Sequence, residues 1–449
     1  MRRLLFLLSL VALSSFAGTS RYIDAPELQT KDRAAVNLNF SDIDLAFSAA
    51  NKKIDKVIRN SNVVNVKDYG AVGNGTHDDT SAFNLAVAAS AGKELAIPSG
   101  TYYLYGQIAI GVSSVNIVGY GLPILKQHDT NSYHFVTGTG IADVSISGIQ
   151  FTSTNTTAGE GAAIELNVNL GSPANNRIKI HDCYFGPTLN MIGIGGSADD
   201  FLIYNNVFDM GSEAQHGIYV ANCNYTKIYG NRLTGPGASY PTFPASIAIK
   251  VIGSYDSVIS GNNIYNWQDE GILVQHQSGT NYPRRTIISN NIINSITKTG
   301  GVGIAVSEAT DTVIMGNQIN GALGAGIVAG SDGLMIGQNQ IIDCGTSSAL
   351  VGDGIDASGS NITIVGNTMT NFVSFGIVIG AGTTGYVVID SNMLNGNSAG
   401  RAISMPSGIT AKGMVCGNSL NNCTDDYVLN GADFLIRSNR NEVGPIADN

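Results

Sequence analysis

Between residues 213 and 276 the chain gathers side chains that could move protons or hold a charged ligand. They are Glu213, His216, Tyr219, Lys250, Asp269, Glu270, Gln275 and His276, with Trp267 among them and Arg284 and Arg285 just beyond. Two chemistries fit this set. Hydrolysis of a glycosidic bond needs two carboxyl groups, about 5–5.5 Å apart for retention or 6.5–9.5 Å for inversion. Glu270 with Asp269 or Glu213 would supply them. Elimination on a uronic acid needs a base for the proton beside the carboxylate and a cation to neutralise that carboxylate. His216, Tyr219 or Lys250 would act as base or acid, and Arg284 or Arg285 as the cation. Trp267 and Tyr219 would stack on sugar faces, and Gln275, His276 and Glu213 would help bind the substrate. Read blandly, Asp269-Glu270 is a solvated turn and Lys250 pairs with Glu270.

These residues share a site only if something brings distant stretches together. A repeat does this. A small residue, Asn, any residue and an apolar residue recur with Asn at 206, 231, 262, 291, 317, 339, 367, 392 and 418. Successive spacings are 25, 31, 29, 26, 22, 28, 25 and 26. Ile149 and Cys183 stand at the same place in earlier repeats. A second mark, Gly-Ile and alternation, recurs at Gly217, Gly271, Gly303, Gly326, Gly354 and Gly376. A period in the twenties with short apolar strands means one solenoid coil per repeat. The Asn suits a left-handed turn position, and its amide can bond the next copy in a ladder. Parallel crossovers are right-handed, so the expected fold is all-β, a right-handed single-stranded parallel β-helix.

Aligning coils on the Gly-Ile mark builds columns. One reads Ala162, Ile192, His216, Ala245, Glu270, Val302, Ala325, Asp353, Phe375 and Arg401. The outward one reads Glu165, Gly195, Tyr219, Ala248, Leu273, Ala305, Val328 and Asp356. His216 and Glu270 then lie two coils apart, roughly 10 Å, with Ala245 between them.

Five segments follow. Residues 1–17 read as a signal peptide: basic Arg2-Arg3, an apolar run from Leu4 to Ala12, and small residues before Ala17. Residues 18–61 are a polar arm and a helix over 42–59. Ile43, Phe47, Ala50, Ile54 and Val57, spaced 4, 3, 4 and 3, form a heptad seam behind a Ser41/Asp44 capping box. That seam packs either on copies of itself, as a trimeric neck, or on the solenoid's own end. Residues 62–106 form an N-terminal cap whose helix starts at Asp79 as N-cap, runs through Ala89 and stops at Gly92. The solenoid proper spans 107–440, and 441–449 is a C-terminal tail.

Composition narrows the partners. The chain has 449 residues, 55 of them Gly, only 13% charged, with a net charge of −10. Acidity argues against nucleic acid, which needs clustered cations. Beyond the signal no segment reads as membrane-spanning. The five cysteines contain no CxxC; buried thiols are expected, although Cys416 and Cys423 could pair. No cofactor is expected. Asp353 and Asp356 could offer oxygens to calcium, and no metal is assigned to them.

The stretch Val64-Asn65-Val66-Lys67-Asp68-Tyr69-Gly70-Ala71-Val72-Gly73-Asn74-Gly75-Thr76-His77-Asp78-Asp79-Thr80-Ser81-Ala82-Phe83, followed by Ile97-Pro98-Ser99-Gly100-Thr101-Tyr102-Tyr103, resembles the N-terminal signature of the pectate-lyase-like β-helix superfamily. With the repeats, the resemblance covers roughly 62–440. That superfamily includes polygalacturonases, pectate and alginate lyases, mannuronan epimerases and phage tailspike depolymerases. The heptad helix most resembles the neck of a trimeric tailspike. The Tyr and Asp-Pro-His-Glu cluster of the epimerases is absent. The resemblance implies an enzyme, a lyase or hydrolase, cutting a capsule, exopolysaccharide or uronic-acid polymer, secreted or carried on a phage tail. The alternative is a non-catalytic adhesin or receptor-binding fibre.

Overall fold

The computed structural model describes residues 62–449 except 129–132, 155–161, 167–174, 187–191, 211–213, 238–245, 278–281, 346–351, 398–399, 408, 424–426, 430–432, 438, 442–443 and 446–449. The signal peptide, the polar arm and the heptad helix lie outside the described residues, as does Glu213.

Asn62–Asn449 forms one compact unit. Its strands fall into three sheets, here A, B and C, of 15, 16 and 13 strands among the described residues. The chain visits them in turn: Lys227–Tyr229 lies in A, Arg232–Thr234 in B, and Ile247–Ile252 in C. Each strand pairs in parallel with its counterpart one coil on, so Ile228 sits beside Ile259 and Ile259 beside Ile288. One antiparallel pair, Arg440–Asn441 with Gly444–Pro445, closes sheet B. Short strands of alternating burial explain the pattern: Ile228, Ile259, Ile288, Ile314, Ile336 and Ile364 are all fully buried and fill the bore.

The asparagines line up. The Nδ2 of Asn206 donates to Oδ1 of Asn231, and the same bond, 2.9–3.0 Å long, runs through Asn262, Asn291, Asn317, Asn339, Asn367, Asn392 and Asn418. The ladder extends to Asn439, and at its other end the Cys183 amide donates to Asn206. The left-handed residue, however, is the one before each ladder asparagine: Asn205, Gly230, Gly261, Asn290, Gly316, Gln338, Gly366, Ser391 and Gly417 all have positive φ. The turn strain thus sits one position earlier than expected. The ladder asparagines are free to point inward, where their amides satisfy buried backbone groups.

The helix Thr80–Ala88 buries Ala82, Phe83, Ala86 and Val87. The Asp79 side chain makes no cap bond to it. Its carboxylate instead accepts from the Val72 and Gly73 amides, at 2.7 and 3.2 Å, and ties the preceding turn. Asp78 accepts from the Thr80 amide and takes the capping role. Cys416 and Cys423 are not joined in a disulfide, and Cys183, Cys223 and Cys344 are buried thiols. No helix of the described residues is long and apolar enough to cross a membrane.

Candidate functional site

The outward face of sheet C carries the proton-transfer candidates, and strand register decides which of them meet. Tyr219 pairs with Gly195 on one side and Lys250 on the other; Lys250 then pairs with Leu273. The expected column placed Ala248 beside Tyr219. The coil around 247 lacks the Gly-Ile mark, so counting slips by two and the true neighbour is Lys250. The same slip replaces Ala245: the residue in register with His216 is Ile247, which is buried. His216 and Glu270 therefore face each other across an isoleucine rather than an open gap.

Tyr219 is the centre. The His216 ring stacks on it at 5.7 Å with planes 16° apart. The Lys250 ammonium lies over its ring, 5.6 Å from the centroid. On the other side Gly195 offers no side chain, and a Cβ there would overlap Oε2 of Glu165. The Glu165 carboxyl therefore crosses Gly195 toward Tyr219. Glu165 was not among the expected site residues, although it heads the outward column. The signal was the glycine beside it, which lets a long side chain span one coil.

Burial sets the electrostatics. Desolvation lifts the Glu165 carboxyl to about 8. Glu270 rises to about 7 through burial and the neighbouring Asp269 charge, against the pull of Lys298 and Lys250. Burial, then Glu165, raises the Tyr219 phenol. Burial lowers Lys250, while Glu270 and Asp269 support its charge. His216 falls to about 3 through burial and the Lys250 charge, so its ring is neutral. Oε2 of Glu270 and Nδ1 of His216 are buried with no hydrogen-bond partner among the described residues. Desolvated groups with shifted pKa values on one surface mark a functional-site candidate.

Other expected residues sit elsewhere. Trp267 is not a sugar platform: it is 0% exposed, and its Nε1 donates to the Leu233 carbonyl at 3.2 Å. It fills space that Gly235 and Gly217 leave empty. Asp269 is paired to Lys298 at 3.0 Å. His276 faces Glu308 at 3.2 Å and stacks on Tyr282. Gln275 lies beyond Leu273 on the same strand, beside Ile252 and Ser307. Arg285 is bound to Asp256 at 2.6 Å, and Arg284 lies over Tyr255. Both arginines stand past the corner at the far end of sheet C, where Arg284 bridges to Tyr255. They are not beside Tyr219.

Asp353 and Asp356 share the outward face three coils beyond Glu270, and burial raises both; Asp356 reaches about 6. Among the described residues no three metal-ligating side chains gather. A concavity of about 1060 Å³ lies instead on sheet A, lined by Lys179, His181, Tyr204, Lys227 and others. Its Arg177 and Asp256 are neutralised in surface pairs with Asp143 and Arg285. Room alone does not make chemistry, and the candidate site is the sheet C row, where burial has shifted the ionisable groups.

The family described as right handed beta helix region matches residues 247–425. The match spans less than half of the chain, and the three stacked parallel sheets show a right-handed parallel β-helix fold. No curated protein matches the chain. Among solved structures, the β-helix is similar to the A-module of the mannuronan C-5 epimerase AlgE6 of Azotobacter vinelandii. That match has 14% identity and a TM-score of 0.60, over 84% of this chain and 99% of the other. Tailspike protein 3 of bacteriophage CBA120 matches at 13% identity and TM-score 0.57, over 89% and 63%. The DFA-IIIase of Arthrobacter chlorophenolicus matches at 15% and 0.52, over 80% and 93%. At these identities the likeness is one of fold.

Proposed function

We propose that this β-helix binds a uronic-acid polysaccharide along sheet C and cleaves it by proton abstraction and elimination, as a polysaccharide lyase. The observation that carries the reading is the row Glu165, Gly195, Tyr219, Lys250, in which a carboxyl, a phenol and an ammonium converge on one outward surface. Lys250 forms no ion pair with a described residue, so its ammonium is available to a sugar carboxylate. Neutralising that carboxylate acidifies the adjacent C–H. Glu165, with a pKa of about 8, takes that proton in its ionised form, so turnover should rise as pH increases toward 8. Tyr219, kept protonated by its raised pKa, gives a proton to the departing glycosidic oxygen. The C–O bond breaks, a carbon–carbon double bond forms, and no water is consumed. His216 holds the Tyr219 ring by stacking, and Glu270 helps keep Lys250 charged.

Uronate is also the polymer class in the name of the mannuronan epimerase A-module that shares the fold. Hydrolysis is less well supported. Glu165 and Glu270 stand four coils apart, about 19 Å along the sheet, well beyond the roughly 6.5–9.5 Å of an inverting pair. The closer Asp269 is held by Lys298.

The test is incubation with alginate, pectate and uronate-containing capsules. Unsaturated-uronate absorbance that disappears in Tyr219→Phe and Lys250→Met, both with wild-type circular dichroism, supports the reading. Reducing ends without that absorbance mean hydrolysis, and binding without products means an adhesin; either outcome rejects it.

A further inference from the structure

The outward face of sheet A changes character part-way along. One column reads Asn116, Ser145, Lys179, Leu202 and Lys227, and then Val258, Ile287, Val313, Met335, Thr363, Val388, Met414 and Leu435. From Val258 onward seven of eight consecutive residues are apolar. They point away from the bore: Ile287 is 41% exposed, Leu435 is 38% exposed, and the others are half-buried. Met315 and Val365 widen the strip in the next column. The equivalent column of sheet B reads Arg232, Asn263, Ile292, Gln318, Gln340, Thr368, Met393 and Ser419. It is mostly polar. Strand formation alone would not select one face over the other, so the contrast needs a cause in what the face touches.

We propose that the outward face of sheet A from Val258 to Leu435 is the surface on which a second copy of this chain packs, with its axis parallel. Two observations favour a copy over another partner. The strip spans seven strand spacings, about 34 Å, and with its flanking turns covers on the order of 700 Å². That approaches the roughly 800 Å² per partner of stable association. A heptad-patterned segment at 42–59, suited to self-association, runs directly into Val63–Asn65, the first strand of the same sheet. Toward that end the face becomes polar, with Lys179 and Lys227 beside Asp143, Asp200 and Asp256. An apolar core with a polar border is the anatomy of a specific interface. The inference does not depend on the sheet C chemistry.

Sedimentation equilibrium of the full chain, from nanomolar to tens of micromolar, tests it. Wild type is expected at a multiple of the 46.8 kDa chain mass. Ile287→Lys with Met335→Lys should raise the dissociation constant at least a hundredfold with unchanged circular dichroism. Ile292→Lys, equally exposed at 41% but on sheet B, should change it less than twofold. If the double variant does not fold, Leu435→Lys reads the same surface alone. A monomeric wild type, or lysine variants that associate like wild type, would overturn the proposal.

Discussion

Asn291→Ala should be among the most damaging single substitutions in the solenoid. Asn291 is fully buried, and its Oδ1 accepts from both the amide and the Nδ2 of Asn262, each at 3.0 Å. Its Nδ2 donates to the Ile259 carbonyl at 2.9 Å and to Oδ1 of Asn317 at 3.0 Å. Alanine removes all four bonds. Asn317 keeps a donor, because the backbone amide of residue 291 still reaches its Oδ1. Asn262 instead loses acceptors: its backbone N–H and one amide hydrogen are left unpaired in a sealed interior. Each stranded donor costs about 1–3 kcal/mol, so the variant should lose about 2–6 kcal/mol. Asn294→Ala, three residues on and outward-facing on sheet B, should stay within roughly 0.5 kcal/mol of wild type. Urea unfolding followed by circular dichroism measures both. A loss under about 1 kcal/mol at Asn291 would mean the ladder does not hold the coils in register, and the columns used to place the site would lose their support.

Three further outcomes are expected. Glu165 has a folded pKa of about 8 against an ordinary 4.5, so between these values the folded chain retains a proton that the unfolded chain releases. The stability it contributes is intact below pH 4.5 and is lost as pH rises through 8; Glu165→Gln should therefore melt like wild type at pH 4 and above it at pH 9. Gly195→Ala has no left-handed φ to strain, yet its methyl would displace the Glu165 carboxyl. Turnover should fall at least tenfold with little change in melting temperature, and retained turnover would remove Glu165 from the site. The single tryptophan, Trp267, is buried, so saturating glycan should leave its emission maximum unmoved; a clear shift would place it near the ligand after all.

The sequence revealed most of the fold because a solenoid writes its contacts into one short period. The asparagines at 206–418 stack as their spacing requires, and Asn439 extended them unnoticed after a shortened interval. Site legibility failed where the period is irregular. The coil holding Lys250 enters without Gly-Ile, and only the hydrogen-bonded register puts that lysine beside Tyr219. Trp267 reads as an exposed aromatic in the sequence because the vacancies that accept it, at Gly217 and Gly235, belong to other coils. Asp79 departs from expectation for a similar reason. An acid before a helix suggests a cap, but the Val72–Gly73 turn folds back over it and offers better donors. In each case the deciding partner was one coil or one turn away, beyond the reach of local spacing.

The structure of Tyr219→Phe with a bound oligouronate tests the central claim most directly. The account predicts the oligosaccharide lying across sheet C, with a ring carboxylate within hydrogen-bond reach of the Lys250 ammonium and the adjacent C–H facing Glu165. A ligand seated on sheet A or sheet B, or one whose carboxylates avoid Lys250, would contradict it.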